Sequence, residues 1–214
     1  MRSGLVLVLS LVLLPGIAWA QEKGDSEITG VVGWQYGGTQ DFVSYTGYSA
    51  GDFHANAAVN YGGTLSHFIQ DAYAIEIAYT YQKTDLIVRP LNVAGVKIGD
   101  LSTHYIQLYG ARYVPVRPDK VDAFLMGGVG ATCYSVPGFQ SRWVTSFGVG
   151  GGFRFNTSER VAVRLQTRIL IPIQWANTGF YFGSGGANIT VGGSSTLIQG
   201  DTSLGLVVKL GSRS

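Results

Sequence analysis

Apolar residues alternate with polar or small residues along most of the chain after residue 27, and this period of two constrains the fold more than any other feature. In the clearest stretch, one face carries Val161, Val163, Leu165, Thr167, Ile169, Ile171 and Ile173. The other face carries Ala162, Arg164, Gln166, Arg168 and Leu170. A period of two is typical of a β-strand with two unlike faces, and the helical period of 3.6 is almost absent. The sequence therefore predicts an all-β fold.

Eight segments show this alternation. They are residues 28–37, 53–63, 71–81, 103–115, 121–134, 143–155, 161–173 and 203–210. In the second segment, His54, Asn56 and Asn60 form the polar face, opposite Ala55, Ala57, Val59 and Tyr61.

The links between these segments alternate in length. The links at 38–52, 82–102, 135–142 and 174–200 are long or moderate, whereas those at 64–70, 116–120 and 156–159 are short. An even number of strands with this asymmetry is typical of outer-membrane barrels, which have short periplasmic turns and longer external loops. We therefore expect an eight-stranded antiparallel up-and-down transmembrane β-barrel with both termini on the periplasmic side.

The first twenty residues have the pattern of an export signal. Arg2 precedes an apolar run at 5–14, Pro15 and Gly16 interrupt it, and Ala18-Trp19-Ala20 provides small residues at the cleavage positions. We expect residues 1–20 to be a cleaved signal peptide and residues 21–214 to form the barrel domain. Because no later stretch approaches 18 consecutive apolar residues, a transmembrane helix is not expected.

Composition excludes several classes of protein. Charged residues make up 13% of the chain, about half the usual share for a soluble domain. The net charge of +2 gives no electrostatic reason to expect nucleic acid binding. A single cysteine excludes an internal disulfide framework and a multi-cysteine metal site.

The cost of charge in lipid assigns the two faces of the barrel. Segment 71–81 has Ile75 and Ile77 between tyrosines, as expected for a strand that crosses lipid between two aromatic girdles. The opposite face would carry a structural polar network in the lumen, formed by Glu76, Arg154, Arg164 and Arg168. Because an eight-stranded barrel is narrow, we expect Glu76 to pair with Arg164 or Arg168. The inward glycines 128, 130, 148, 150 and 152 would leave room for large polar side chains.

The orientation of segment 103–115 is ambiguous. If Ile106 and Leu108 face outward, Arg112 does too, and its side chain would have to lie at the membrane rim.

The chemistry of an enzyme is largely missing from the chain. Ser102 and His104 would share one strand face, but no carboxylate is evident to orient the histidine, since Asp100 lies in a link of unknown geometry. The three histidines have no metal-binding spacing, and the glycine run at 148–152 lies in a strand rather than before a helix. Cys133 is expected to be a small apolar filler. We expect no catalytic, metal or cofactor-binding residues and no cofactor.

The sequence resembles the small outer-membrane β-barrel family related to the OmpA transmembrane domain and OmpX. The resemblance is carried by residues 28–38, 73–79, 103–108, 126–132, 147–153 and 158–164. It implies fold and location in the bacterial outer membrane more than it implies an activity. The last strand also resembles the signal read by the barrel-assembly machinery, carried here by Ser203, Gly205, Val208 and Leu210, although Leu210 replaces the usual aromatic residue.

These observations leave several functions open. The first is a structural or surface-interaction role, in which loop aromatics contact lipopolysaccharide, a partner protein or a host surface; these aromatics are Phe42, Tyr45, Tyr48, Phe180, Tyr181 and Phe182. The alternative is a narrow porin-like channel for water, ions or small solutes. An outer-leaflet lipid-modifying enzyme and a secreted soluble barrel are less favoured. The expected partners are outer-membrane lipid, lipopolysaccharide and the barrel-assembly machinery, and a monomer without nucleic acid is expected.

Overall fold

Ten strands form the structure. The computed structural model describes residues 23–36, 39–43, 50–90, 95–138, 140–173 and 198–210. The strands are β1 (Ser26–Tyr36), β2 (Thr39–Val43), β3 (Ala50–Ala55), β4 (Ala58–Gln70), β5 (Tyr73–Pro90), β6 (Val96–Arg117), β7 (Val121–Ser135), β8 (Arg142–Asn156), β9 (Val161–Ile173) and β10 (Gln199–Leu210). Within the described ranges, no helix is long and apolar enough to cross a membrane.

Eight of these strands close into a barrel. The neighbours run in the order β5-β4-β1-β10-β9-β8-β7-β6, and β5 also pairs with β6, which completes the ring. All these pairings are antiparallel. The predicted eight-stranded antiparallel barrel is therefore confirmed. The additional strands β2 and β3 form a hairpin that pairs with the last residues of β5.

The two faces of the barrel are inverted relative to a soluble protein. On β5, Ile75 and Ile77 face outward and are 44% and 55% exposed, whereas Glu76 between them is 1% exposed. The outward face of the barrel also exposes aromatic side chains towards both ends; these include Trp34, Tyr36, Tyr61, Tyr73, Tyr79, Trp143, Phe153 and Phe155.

The prediction of one continuous strand over residues 53–63 is wrong. The strand is interrupted at Asn56 and Ala57, so that β3 ends at Ala55 and β4 begins at Ala58. Both strands pair with β5 in succession, but one extra residue lies between them on this side. An extra residue of this kind reverses the alternation, which explains why Ala55 is buried while Ala57 is exposed.

Three predicted links are also wrong, because they contain strand residues. Residues 64–70 belong to β4, which leaves a turn of only Asp71 and Ala72, the latter with a φ of 68°. The link at 82–102 is mostly strand, because β5 extends to Pro90 and β6 begins at Val96. Alternation continues in both segments. In 82–102 polar outward residues such as Lys83 obscure it, whereas in 64–70 apolar Phe68 faces inward and polar His67 faces outward. The proposed link at 38–52 likewise contains β2 and the start of β3.

The structure decides the orientation of β6. Ile106 and Leu108 face outward, and Arg112 lies on the same side, with its guanidinium carbon 5.3 Å from the centre of the Tyr73 ring. Arg112 pairs with the first residue of β5, so it lies near the end of the barrel that carries the short turns. This end is called the short-turn end below, and the opposite end is called the long-link end.

Gly152 illustrates how closely the barrel wall constrains inward positions. A Cβ on Gly152 would lie 2.8 Å from the Gln166 Cα and 2.9 Å from the Leu165 carbonyl carbon. Neither backbone atom can move without disturbing the β8–β9 pairing.

We therefore expect Gly152→Ala to lower the free energy of unfolding by about 2–3 kcal/mol through overpacking. Denaturant unfolding in detergent micelles measures this change. Gly30→Ala is the matched control, because a Cβ on outward Gly30 would meet nothing within 4 Å. Equal stability of the two variants would contradict this explanation.

Candidate functional site: the lumen of the barrel

The lumen near the short-turn end contains two buried ion pairs. The Arg164 guanidinium donates from Nη1 to Glu76 Oε1 and from Nη2 to Glu76 Oε2, both at 2.9 Å. Tyr113 also donates its hydroxyl hydrogen to Glu76 Oε1 at 2.9 Å. The second pair joins Arg154 Nη2 to Glu27 Oε1 at 2.8 Å.

Aromatic side chains surround the pair of Arg164 and Glu76. The Arg164 guanidinium carbon lies 4.1 Å from the centre of the Phe124 ring, which is a favourable cation–π distance. Tyr113 stacks between Phe68 and Phe124, with ring centres 5.3 Å apart in each pair. These rings fill the lumen around the ion pair and hold its geometry.

A second polar network lies nearer the long-link end, with Asp201 at its centre. Arg168 Nε donates to Asp201 Oδ1 at 3.0 Å, and the Asn60 amide donates to Asp201 Oδ2. Arg168 also donates from Nη2 to Thr80 Oγ1 at 3.0 Å, so this side chain connects β9 to β5 across the lumen.

The same network continues towards β1 and β6 through neutral groups. Gln35 Nε2 donates to the Tyr105 hydroxyl at 3.2 Å, and the Tyr105 hydroxyl donates to Gln199 Oε1. Tyr105 and Gln35 are completely buried. The network thus joins several strands of the barrel through hydrogen bonds in its interior.

Large side chains occupy the space beside the inward glycines. A Cβ on Gly148 would come within 2.8 Å of Tyr109 Cε1, and a Cβ on Gly150 would come within 2.9 Å of Arg168 Cγ. Gln107 lies against Gly130 in the same way and donates to Ser146 Oγ. The predicted room beside the glycines is therefore filled by side chains of nearby strands in the same wall.

The three buried arginines of this interior are each matched by an acid. Each of the three buried arginines Arg154, Arg164 and Arg168 is paired with an acid, respectively Glu27, Glu76 and Asp201. The side chain of each member of these pairs is at most 3% exposed. A buried charge without a partner is costly, and this pairing is what permits charged residues inside a narrow barrel.

All four polar residues proposed for the lumen face inward, but two of their acidic partners, Glu27 and Asp201, were not predicted from the sequence. Glu27 immediately precedes the predicted start of β1 at residue 28, and Asp201 lies two residues before the predicted start of β10. Extending the alternation by one or two residues would have predicted both to face inward. Glu27 lies on the same strand face as Thr29, and Asp201 lies on the same face as Ser203.

The residues considered for catalysis lie outside the barrel, on β6. Tyr79 Oη and His104 Nδ1 share a hydrogen bond of 2.9 Å, and Tyr81 Oη and Ser102 Oγ share one of 3.3 Å. Asp100 binds Lys83 Nζ and Lys97 Nζ, each at 2.9 Å. The three residues therefore bind different neighbours rather than one another.

The remaining candidate residues have the following positions. Cys133 is a buried free thiol near the long-link end of β7. In β10, Ser203 faces the lumen, whereas Val208 and Leu210 face outward. Among the described residues, no group of three or more histidine, cysteine, aspartate or glutamate side chains could hold a metal ion. The proposed signal peptide and the loop aromatics other than Phe42 lie outside the described residues.

Comparison with solved structures identifies the fold. The chain resembles the outer membrane protein OprG from Pseudomonas aeruginosa with a TM-score of 0.62 and 12% identity, over 91% of this chain and 100% of that chain. It resembles the outer membrane protease OmpT from Escherichia coli with a TM-score of 0.53 and 10% identity, over 87% of this chain and 97% of that one. Neisserial surface protein A gives a TM-score of 0.51 and 14% identity, over 86% and 97% of the two chains.

No family model matches the sequence, and a search of curated proteins gave no match either. The similarity to solved structures therefore defines the fold alone. This chain has the fold of small outer-membrane β-barrels, which confirms the resemblance noted in its sequence.

Proposed function

We propose that this protein is an integral β-barrel of the bacterial outer membrane with a structural or surface-interaction role. The observation that carries the proposal is the inverted distribution of its side chains. Ile77 is 55% exposed on the outside, while Arg154 and Arg168 are buried inside. Water would favour the reverse arrangement, whereas a bilayer favours an apolar outside and a polar inside. The short-turn end would then face the periplasm.

The packing of the lumen supports a role that does not involve transport. Arg168 connects Asp201 to Thr80 across the interior, and Tyr109 fills the space beside Gly148. Conduction requires a continuous wet path, and side chains that cross or fill the lumen in this way oppose one. We therefore propose that the interior stabilises the barrel and that the exterior and its loops make the contacts that matter for function.

A narrow channel for water is the second candidate, and one observation favours it. Within the described structure, Arg154 Nε and Nη1 have no protein hydrogen-bond partner although the residue is 1% exposed. Buried polar atoms of this kind are commonly satisfied by water.

The proposal does not include catalysis, because Ser102, His104 and Asp100 each bind other neighbours. Outer-membrane lipid and lipopolysaccharide are the proposed surroundings, and the barrel-assembly machinery is the proposed route of insertion. Val208 and Leu210 face outward, and we propose that they contribute an apolar surface to that recognition.

Heat-modifiability in an outer-membrane fraction tests the membrane proposal. We expect the unboiled protein to migrate faster on a detergent gel than the boiled protein, because a closed barrel stays compact until it is heated. A known periplasmic protein and a known outer-membrane barrel from the same cells serve as fractionation controls. Recovery in the periplasmic fraction without a shift in migration would refute the proposal.

A further inference from the structure

Four charged side chains form a cluster on the outward face of β5 and β6, towards the long-link end. The cluster consists of Lys83, Asp85, Lys97 and Asp100. Lys83 is two residues beyond Tyr81 on the outward side of β5, which corresponds to about 6.6 Å along the strand. Below the cluster, Tyr81 lies between Tyr61 and His104, with ring centres at 5.3 Å and 4.9 Å.

This order of residues places the cluster at a defined height on the barrel. Ile75 and Ile77 lie below, the aromatic group of Tyr81 and its neighbours follows, and the charged cluster comes next. Aromatic side chains of membrane proteins lie at the level where the acyl chains meet the headgroups. The cluster therefore lies at headgroup level on the side of the long links.

Asp100 holds the two lysines in a fixed arrangement. Its Oδ2 accepts from Lys83 Nζ and its Oδ1 accepts from Lys97 Nζ, each at 2.9 Å, so that one carboxylate lies between two ammonium groups. The Asp85 carboxylate binds Lys97 Nζ at 2.6 Å. Since each ammonium group has three donors, donors on both lysines stay available to a ligand.

The exposure and charge of the lysines also suit an anionic ligand. The side chains of Lys83 and Lys97 are 58% and 51% exposed. Hydrogen bonds to the aspartates raise the pKa of both lysines, and the hydrogen bond from Lys83, followed by that from Lys97, lowers the pKa of Asp100 to about 2. Both ammonium groups therefore stay charged throughout the physiological range of pH.

Other parts of the rim differ from this cluster. Outward positions near the long-link ends of β1, β8 and β9 carry Tyr36, Trp143 and Ile173, which have no charge. A headgroup that contacted those positions would find no ammonium donor from them. The cluster thus gives the described β5–β6 face ammonium donors that these three positions lack.

We propose that Lys83 and Lys97 bind a phosphate group of a phosphorylated glycolipid in the outer leaflet of the membrane. Their ammonium groups donate to the phosphate oxygens, and Asp100 sets the spacing between the two donors. Charge-assisted hydrogen bonds to phosphate are among the stronger polar contacts in proteins. The inference rests on the membrane location proposed above, since only that location brings a lipid headgroup to this face.

Binding of lipid A to the purified barrel in dodecylmaltoside micelles tests the inference. We expect diphosphoryl lipid A to bind more tightly than fully dephosphorylated lipid A. The double variant K83Q/K97Q should weaken binding of the diphosphoryl form about thirtyfold, at about 1 kcal/mol for each lysine. Soluble pyrophosphate in excess should compete only weakly, because it lacks the acyl chains that lie against the apolar wall.

The matched control is K120Q/R160Q, which removes the same charge from exposed positions in the short turns. This variant should bind like the wild type, and K83R/K97R should retain most of the affinity because it retains both charges. D85N frees a donor on Lys97 and should tighten binding about fivefold.

Three results would overturn the inference. They are wild-type affinity in K83Q/K97Q, equal binding of dephosphorylated lipid A, and weaker binding in D85N. Strong competition by pyrophosphate would assign the site to soluble phosphates instead of a lipid. Each variant is first tested for heat-modifiability, so that loss of the barrel is distinguished from loss of the lipid site.

Discussion

Glu76→Gln lowers the free energy of unfolding of the barrel by about 3–5 kcal/mol, the expected cost of leaving a buried charge without its partner. Arg164 makes two hydrogen bonds to the Glu76 carboxylate, and both side chains are at most 3% exposed. The amide of glutamine has the same shape but no charge, and its NH2 group would face the guanidinium. Denaturant unfolding of the purified barrel in micelles measures the loss.

A double replacement separates the cost of an unpaired charge from a loss of packing. We expect E76L/R164M to be much more stable than E76Q, because apolar residues of similar volume often replace a buried ion pair at little cost. If the double variant is as unstable as E76Q, the ion pair does not explain the loss.

An ion pair on the exterior provides the matched comparison. Lys97 and Asp85 are 2.6 Å apart, but both side chains are about half exposed. Exposed ion pairs contribute little to stability because water screens both charges. We therefore expect no measurable change in unfolding for K97Q, and a loss as large as that of E76Q would contradict the role given to burial.

Alternation in the sequence predicted the closed barrel and the inward position of Arg164, because a period of two determines which side chains share a face. One of its failures lies where outward residues become polar. Beyond Tyr81, the outward positions of β5 carry Lys83 and Asp85, so the strand no longer alternates between apolar and polar residues although its pairing continues. The hydropathy of the outward residues changes where the strand leaves the membrane. The strand itself ends only where its backbone hydrogen bonds to the neighbouring strands end.

The ion-pair partners of the lumen residues were harder to predict than the direction in which each side chain points. Parity could place Arg168 inside, but the sequence does not reveal the stagger of strands around a barrel. That stagger places Asp201 of β10 beside Arg168 of β9. It also brings Glu76 of β5 to Arg164 of β9. The extra residue between β3 and β4 could not be predicted either, because Asn56 and Ala57 are compatible with an uninterrupted strand.

Conductance distinguishes the two candidate functions, and Tyr109 is the residue with which to test them. Tyr109 is 1% exposed, and its ring occupies the space beside Gly148 on β8, two strands away in the barrel wall. We expect the wild-type barrel in planar bilayers to give no discrete conductance steps. Y109A should produce such steps, because it removes a large side chain from the middle of the lumen and leaves the adjacent glycine position unfilled.

The control for this experiment is Y79A, which removes the same side chain from the outward face of β5. We expect it to leave the bilayer silent, since the lumen is unchanged. Steps in the wild type would contradict the closed interior and favour the channel, whereas steps in both variants would indicate a general loosening of the barrel. Steps confined to Y109A would show that packing of the lumen, rather than the width of the barrel, prevents conduction, because both variants have the same eight strands.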